Sequence, residues 1–245
     1  MTRAVSEKWF YAETIPAVGE TVALDPAEAR HATRARHLQA GAEATVCDGA
    51  GTTAQIVLAD VSRRSATGIV QERTVHPPPA HRVHLASALP KGDRLATLLS
   101  MATQLGMTDF TPLLARRSVV LARAETPERW SRVLREACKQ SRRPWQPILH
   151  PPATPLESLE RGSVQSLALL MDAAGEPARG LLNQPPGDRL LLVGPEGGFD
   201  AEEYATLVAA GARPMALTTA TLRIETAAAA ALAVLELSPP TQATD

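Results

Sequence analysis

The chain has 245 residues, of which 44% are hydrophobic, and a formal net charge of -1, so it can build a real core in one large domain or two modest ones but has no bulk attraction for nucleic acid. No apolar run reaches membrane-spanning length, and the opening MTRAVSEKWF lacks the apolar core of a signal peptide, which makes a soluble, cytoplasmic protein the expectation. Cys47 and Cys138 are the only cysteines, which excludes a disulfide framework and fits a reducing compartment.

The N-terminal part reads as a small β-rich module with one helix. Asp25-Pro26-Ala27-Glu28 is a helix start, with Asp as N-cap and Pro at the first helical position, and the helix should end before Gly41. Glu43 to Cys47 and Thr52 to Val61 are β-prone runs around the turn Asp48-Gly49-Ala50-Gly51, and a third strand, Ala66 to Gln71, would close a small barrel or sheet. The helix carries Arg30, Arg34 and Arg36 beside His31 and His37. Such a helix is either a solvated charged face or a grip on RNA phosphates.

Thr74 to Ala80, TVHPPPA, breaks both periodicities with three consecutive prolines and is the expected linker. It divides the chain into domains at 1–73 and 81–238, with a disordered tail at 239–245. His76, His81 and His84 lie around it, but no cysteine or carboxylate cluster accompanies them, so no metal site is expected.

Beyond the linker, strands and helices alternate. Val83 to Ala88, Phe110 to Leu114, Ser166 to Met171, Leu190 to Val193 and Met215 to Leu217 read as strands, and Asp93 to Leu105 as a helix stopped by Gly106. Thr126-Pro127-Glu128 opens another helix, in which Trp130, Val133, Leu134, Ala137 and Cys138 form one apolar stripe, so Cys138 should be core rather than nucleophile. The pattern indicates an α/β fold, a mostly parallel sheet with helices on both faces.

From Arg116 to Arg143 nine residues are basic and three acidic. Arg132, Arg135 and Lys139 should line the face opposite the apolar stripe, and Arg142 and Arg143 continue it. This excess of one sign, with Lys91 and Arg94 in the turn PKGDR, is the second candidate surface for RNA.

Two ligand loops follow the last two strands, at the carboxyl ends where α/β sheets bind ligands. In Gly194-Pro195-Glu196-Gly197-Gly198 the glycines let backbone groups approach a ligand. Glu196, with Asp200, Glu202 and Glu203 close behind and no Walker lysine, argues for a neutral or cationic guest rather than a phosphate. The plainer reading is a glycine turn into a helix capped by Asp200 and Glu203. The second loop, Thr221 to Ala227, opens the helix IETAAAAALAVLEL, apolar nearly all round. Such a helix is buried on more than one side, either by a two-fold copy of itself or by the sheet and another helix of its own chain.

GPEGGF, from Gly194, and LRIETA, from Leu222, together with ALPKGDR from Ala88, ATQLGMTDFTPLLARRSVV from Ala102, REACKQSRRPWQP from Arg135 and the CDGAG turn from Cys47, resemble the RsmE family. These are S-adenosylmethionine-dependent methyltransferases of the SPOUT class that act on uridine N3 in 16S ribosomal RNA. The resemblance implies a PUA-like small β-barrel domain followed by an α/β domain with a trefoil knot, a homodimer, and a substrate that is either naked small-subunit RNA or the assembled subunit. It points to Leu170, Val193, Gly194, Pro195, Glu196, Gly197, Gly198, Leu217, Thr218, Leu222, Arg223 and Thr226 as the cofactor site. Arg223 and Glu225 are implied as catalytic. Arg223 would stabilise negative charge on the uracil oxygens, or else prop the loop by an ion pair with Glu225 or Glu196. Arg3 joins Arg30, Arg34 and Arg36 as an implied RNA contact. The chain departs from the family at Thr218-Thr219-Ala220, where a Gly-x-Arg is usual, at Met101 and Gln104, where lysine and glutamate are common, and at His37, where relatives carry arginine. These departures leave open a noncatalytic RNA-binding or assembly protein, and no histidine stands as an evident general base.

Overall fold

The hairpin around Asp48 forms in the computed structural model, which describes residues 8–34, 38–62, 64–121, 126–161, 167–181 and 187–236. The Asp48 carboxylate accepts from the backbone N–H groups of Ala50 (2.7 Å) and Thr52 (2.9 Å), which sets the turn chemistry that the sequence suggests. The chain divides into two compact units, residues Met1–Pro78 with Arg135–Gln146, and Pro79–Leu134 with Pro147–Asp245.

The first unit is a five-stranded sheet with one helix. Strands β1 (Trp9–Tyr11) and β2 (Thr21–Ala23) precede helix α1 (Pro26–Arg34), and β3 (Glu43–Cys47), β4 (Thr52–Val61) and β5 (Ala66–Val75) follow. The sheet order is β1-β3-β4-β5-β2. β1 and β2 are three residues each, too short to show a period, and were not evident in the sequence. β5 continues past Gln71 into the stretch expected as linker, because Arg73, Thr74 and Val75 pair with Ala54, Thr53 and Thr52. Asp25 caps α1 as expected, its Oδ1 accepting from Ala27 N–H at 2.8 Å. Phe10, Val46, Ile56, Leu58 and Val70 pack with Ala29 and Ala32 of α1 to form the core.

Residues 135–146, the end of helix α3 (Thr126–Ser141) and its exit, group with this unit. The reason is visible at the glycine turn. Gly51 donates to Pro144 O (3.0 Å), Gln146 donates to Gly49 O (2.9 Å), and Trp145 Nε1–H donates to Pro77 O (2.9 Å). A Cβ on Gly51 would lie 2.3 Å from the Trp145 indole, so only glycine fits beneath that ring.

The second unit is built on a six-stranded sheet in which every neighbouring pair is parallel. In chain order it contains β6 (Val83–Ser87), α2 (Arg94–Gln104), β7 (Asp109–Pro112), β8 (Ile148–Leu149), α4 (Pro155–Glu160), β9 (Leu167–Pro177), α5 (Ala178–Leu181), β10 (Arg189–Val193), α6 (Ala201–Ala209), β11 (Arg213–Ala216) and α7 (Ile224–Glu236). The strand order is β11-β9-β10-β6-β7-β8. Alternate side chains go to opposite faces. Leu85, Leu169 and Leu191 meet Leu98 and Leu99 of α2, Trp130 and Leu134 of α3, and Ala228 and Leu232 of α7. Ala168, Leu170, Leu190 and Leu192 meet Leu207 of α6 and Leu159 of α4 on the other side. The architecture is therefore the expected α/β sheet covered on both faces.

Ile224, Ala227, Ala228, Ala231 and Leu232 form the buried stripe of α7, and the helix packs on α2, β6 and β10. Two of its sides are thus covered by its own chain, while Ala229, Ala230, Ala233, Val234 and Leu235 remain half-buried. Cys138 is core, as its place in the stripe requires, and burial pushes its thiol up to about 11 and that of Cys47 up to about 12, so neither is a thiolate near neutral pH.

At the amino end of β7 the buried Asp109 carboxylate accepts from Arg82 (Nε 3.0 Å), from Thr108 Oγ1 (2.7 Å) and pairs with His150 Nε2 (2.7 Å). His84 Nε2 is hydrogen-bonded to Thr111 Oγ1 at 2.8 Å, and His76 Nε2 to Thr53 Oγ1 at 2.8 Å. Among the described residues no group of three His, Cys, Asp or Glu side chains could hold a metal ion, and no helix is long and apolar enough to cross a membrane.

Candidate functional site

β9, β10 and β11 lie side by side and parallel, so their carboxyl ends open on one edge of the sheet. A cleft of about 200 Å³ occupies that edge. β10 and its loop supply Val193, Gly194, Pro195, Glu196, Gly198 and Phe199. β11 and the second loop supply Met215, Leu217, Thr218, Ala220, Thr221 and Leu222, with Ile224 and Ala227 of α7 behind them. Both predicted loops therefore meet in one cleft.

Nine lining residues were not in the expected cofactor site: Phe199, Met215, Ala220, Thr221, Ile224 and Ala227, in or beside the two loops, and three from β9. Met171, Asp172 and Ala173, at the end of the straight part of β9, form the wall between the two loops. The sequence shows β9 as a strand but not that it lies between β10 and β11. Leu170, placed in the site by the resemblance, is fully buried against Leu190, Leu192 and Leu207 instead. The alternation of side chains along a strand turns Leu170 to one face and exposes its neighbour Met171 to the cleft. Gly197 and Thr226 also lie off the lining; Gly197 offers its carbonyl to Arg117 Nη1 at 2.8 Å, and Thr226 is exposed.

The cleft is largely apolar, with Thr218, Thr221 and two carboxylates as its polar side chains among the described residues. Among the described residues Asp172 and Glu196 are the charged side chains on its wall, and no lysine or arginine lines it. Asp172 accepts from Tyr204 OH (2.7 Å) and Ala174 N–H (2.9 Å), and burial together with this bond pushes the Tyr204 phenol up to about 12. Such a surface suits a ligand with a flat apolar body and a positive charge, and disfavours a phosphate.

The first loop is held from several sides. Gly198, at φ 68°, donates its N–H to Pro195 O at 2.8 Å and closes the turn in a conformation that favours glycine. The α6 capping pair is present, with Asp200 Oδ1 accepting from Glu203 N–H (2.8 Å) and Glu203 Oε2 from Asp200 N–H (3.2 Å). Arg116 donates to Asp200 (3.1 Å) and Glu202 (2.5 Å), and Arg117 to Gly197 O. In the second loop Thr218 Oγ1 accepts from Ala220 N–H at 3.2 Å, which shows how this sequence turns without the usual glycine.

Arg94 connects the two loops. From the start of α2 its guanidinium lies 3.5 Å from Glu196 Oε1 and 3.6 Å from Glu225 Oε1. Expected as an RNA contact, Arg94 is here engaged by two carboxylates. The same pairs fill the propping role considered for Arg223. The Arg223 side chain is exposed, beside the lining residues Leu222 and Ile224, and no ion pair involves it among the described residues. Glu225 is only 8% exposed; its Oε1 faces Arg94 and its Oε2 has no hydrogen-bond partner among the described residues.

The remaining basic candidates separate by burial. Lys139 is not on a solvent face: it is 8% exposed, with Nζ 2.5 Å from Glu28 Oε1 and 2.8 Å from Glu136 Oε1. Arg135 lies over the Tyr11 ring, 3.7 Å from its centroid, and 3.5 Å from Asp25. The helical period is intact, but the polar side of α3 meets α1 and β1 in its last turns, and buried cations need such partners. Arg30, Lys91, Arg132 and Arg142 are exposed, and Arg143 is half-buried. Arg3, Arg36, His37 and the tail lie outside the described residues, as do the side chains of His31 and Arg34.

A family described as RNA methyltransferase domain matches residues 76–236. The chain is 35% identical over 220 residues to the ribosomal RNA small subunit methyltransferase E of Synechocystis sp., covering 87% of this chain and 72% of the relative. With the enzyme of the same name from Mycobacterium bovis it shares 32% identity over 232 residues, 91% of this chain and 88% of the relative. Among solved structures, that of a ribosomal RNA small subunit methyltransferase E from Neisseria gonorrhoeae bound to S-adenosyl methionine aligns with TM-score 0.85 and 27% identity, over 94% of this chain and 96% of the other. A Legionella pneumophila methyltransferase in complex with the same cofactor aligns with TM-score 0.86 and 25% identity, over 95% and 98%.

Proposed function

The chain belongs to the RsmE family of small-subunit ribosomal RNA methyltransferases, and from that premise we propose that it transfers a methyl group from S-adenosylmethionine to the N3 ring nitrogen of a uridine in 16S ribosomal RNA. The observation that carries this reading is the cleft at three strand ends, largely apolar and charged, among the described residues, only by Asp172 and Glu196. Its donor set fits the cofactor, whose sulfonium and ammonium are positive and whose adenine is flat and largely apolar. Met171, Val193, Met215, Leu217, Leu222 and Ile224 would hold the adenosine, and backbone groups of both loops its polar edges.

S-adenosylmethionine supplies an electrophilic methyl group on a sulfonium. The transfer forms the N3–C bond, breaks the methyl–sulfur bond and releases the N3 proton, so that separated charge is cancelled. A dry, weakly charged cleft favours this step. Arg223, exposed and with no ion pair among the described residues, donates to the uracil oxygens where negative charge develops. Glu225 acts at one remove, as a positioning residue that holds Arg94 between the loops.

Finer features belong to the same reading. The first unit is PUA-like and grips RNA through Arg30, Arg142 and Arg143, and Lys91 and Arg132 of the second unit add further phosphate contacts. The sheet unit carries the trefoil knot of the SPOUT class. The enzyme is a cytoplasmic homodimer and needs no metal. Titration calorimetry with S-adenosylmethionine, followed by nucleoside mass spectrometry of 16S RNA from a deletion strain treated with the purified protein, tests the proposal. Failure to bind the cofactor would return the chain to a noncatalytic RNA-binding role, and binding with no methylated uridine would refute the substrate.

A further inference from the structure

A second pocket, of about 330 Å³, lies wholly within the first unit. Along it runs a row of side chains across four strands: Trp9 is in register with Thr45, Thr45 with Gln55, and Gln55 with Glu72. Thr53 and Thr74, also in register, lie two residues further along and so point the same way. Their neighbours Phe10, Ala44, Val46, Ala54 and Ile56 point into the core. One face of the sheet is thus apolar and packed, and the other is polar and hollow.

A polar hollow over a sheet could simply be solvated, but two features here are unexplained by folding. Trp9 lines this pocket, and its Nε1–H is buried with no hydrogen-bond partner among the described residues. Leaving an indole N–H unmatched is costly, so the ring's place beside the pocket is not set by a hydrogen bond of the fold. The second feature is Arg142, which lines the same pocket. It follows α3 at φ 58°, with Arg143 N–H donating to Cys138 O at 2.9 Å and its own N–H to Lys139 O at 3.4 Å. That is the helix-terminating geometry in which glycine is the favoured residue. An arginine is disfavoured there by its backbone, yet it places a guanidinium at the pocket.

We propose that this pocket takes one unstacked nucleotide of single-stranded RNA, its base against Trp9 and its phosphate at Arg142. The chemistry is that of single-strand recognition, in which a base stacks on an aromatic ring while side-chain amides and hydroxyls read its edge. Gln55 and Thr45 are joined by two contacts, Gln55 Nε2 donating to Thr45 Oγ1 at 3.0 Å and Gln55 Oε1 accepting from it at 3.2 Å, which leaves one amide N–H and one oxygen lone pair for a base edge. Glu72, exposed at the rim, can accept from an exocyclic amine. The inference rests on RNA being the substrate, and it adds a site on the first unit that recognises an unpaired nucleotide separate from the methyl acceptor.

The test measures fluorescence anisotropy of a labelled single-stranded hexaribonucleotide of mixed sequence with the full chain, against a blunt RNA duplex as competitor. Gln55→Leu and Trp9→Phe should each weaken binding by about tenfold. Arg142→Gly should weaken it as well while raising the thermal midpoint, a combination that a disturbed fold does not produce. Binding of all three variants at wild-type strength, or equal competition by the duplex, would overturn the inference. Wild-type protein that binds the oligonucleotide but methylates no ribosomal RNA would leave the pocket standing and remove the catalytic reading instead.

Discussion

Arg94 is held by two carboxylates, and Arg223 by none among the described residues. The two arginines should therefore fail differently when truncated. Arg223→Ala should lower turnover by about two to three orders of magnitude with cofactor affinity little changed, the size of one lost oxyanion donor. Arg94→Ala should weaken cofactor binding by about threefold to tenfold, since its half-exposed pairs are worth on the order of 1 kcal/mol. Single-turnover rates and cofactor titration separate these outcomes, and equal loss of cofactor binding in Arg223→Ala would assign it a structural role. Away from the cleft, His84 and Asp109 set a pH dependence of stability. Burial holds the His84 imidazole down at about 4, from an ordinary 6.5. A histidine kept neutral by folding contributes fully above about pH 6.5 and loses that contribution as pH falls toward 4. For Asp109, burial alone would raise the pKa, but hydrogen bonds from Arg82, His150 and Thr108 outweigh it and bring the carboxyl to about 2. Its contribution is present above 3.8 and is lost as pH falls toward 2. Calorimetry should show the thermal midpoint falling from pH 7 to 4 and again below, with the upper step absent in His84→Gln. An unchanged upper step in that variant would exclude His84 as its source.

Elements were legible in the sequence where their determinants lie within a turn or two. The Asp25 cap, the Asp200–Glu203 pair, the Asp48 turn and the apolar stripes of α3 and α7 all depend on spacings of two to eight residues, and all are present. What the sequence hid depends on partners far along the chain. Lys139 occupies a polar helical position, and its burial depends on Glu28, 111 residues away, which joins Glu136 of its own helix in holding the ammonium. The wall from Met171 to Ala173 required the strand order, and β1, β2 and β8 are too short to carry a period. For α3 these facts divide its cations into two classes. Lys139→Met should cost about 3 to 5 kcal/mol by removing one member of a buried ion pair, and adding Glu28→Gln should recover much of the loss. Denaturant unfolding measures both, and a double variant no more stable than the single one would show that packing rather than charge is at stake. Arg132, exposed on the same helix, should behave oppositely. Arg132→Ala should leave stability unchanged, weaken RNA binding and reduce its salt slope by about one. An unaltered slope would return that position to plain solvent exposure.

At the scale of the whole molecule the open question is whether α7 meets a second copy of itself. The sheet and α2 cover the stripe from Ile224 to Leu232, so most of the helix's apolar character is accounted for within one chain. The remainder is not. Ala229, Ala230, Ala233 and Val234 are only half-buried, at spacings of three and four that place them along one outward face. Small side chains there would let a two-fold copy of the helix approach closely, and symmetric dimers are the commonest oligomers. A charge at the centre of that face would be desolvated in a dimer but solvated in a monomer. Ala230→Glu should therefore convert a dimer to monomers in sedimentation equilibrium at micromolar protein, without lowering the thermal midpoint of the isolated chain. Because α7 begins directly after the second loop, and Ile224 and Ala227 belong both to its buried stripe and to the cleft wall, separation should also loosen cofactor binding. A wild-type chain that sediments as a monomer and transfers methyl groups at full rate would sink the dimer, and would leave the half-buried alanines as ordinary helix surface.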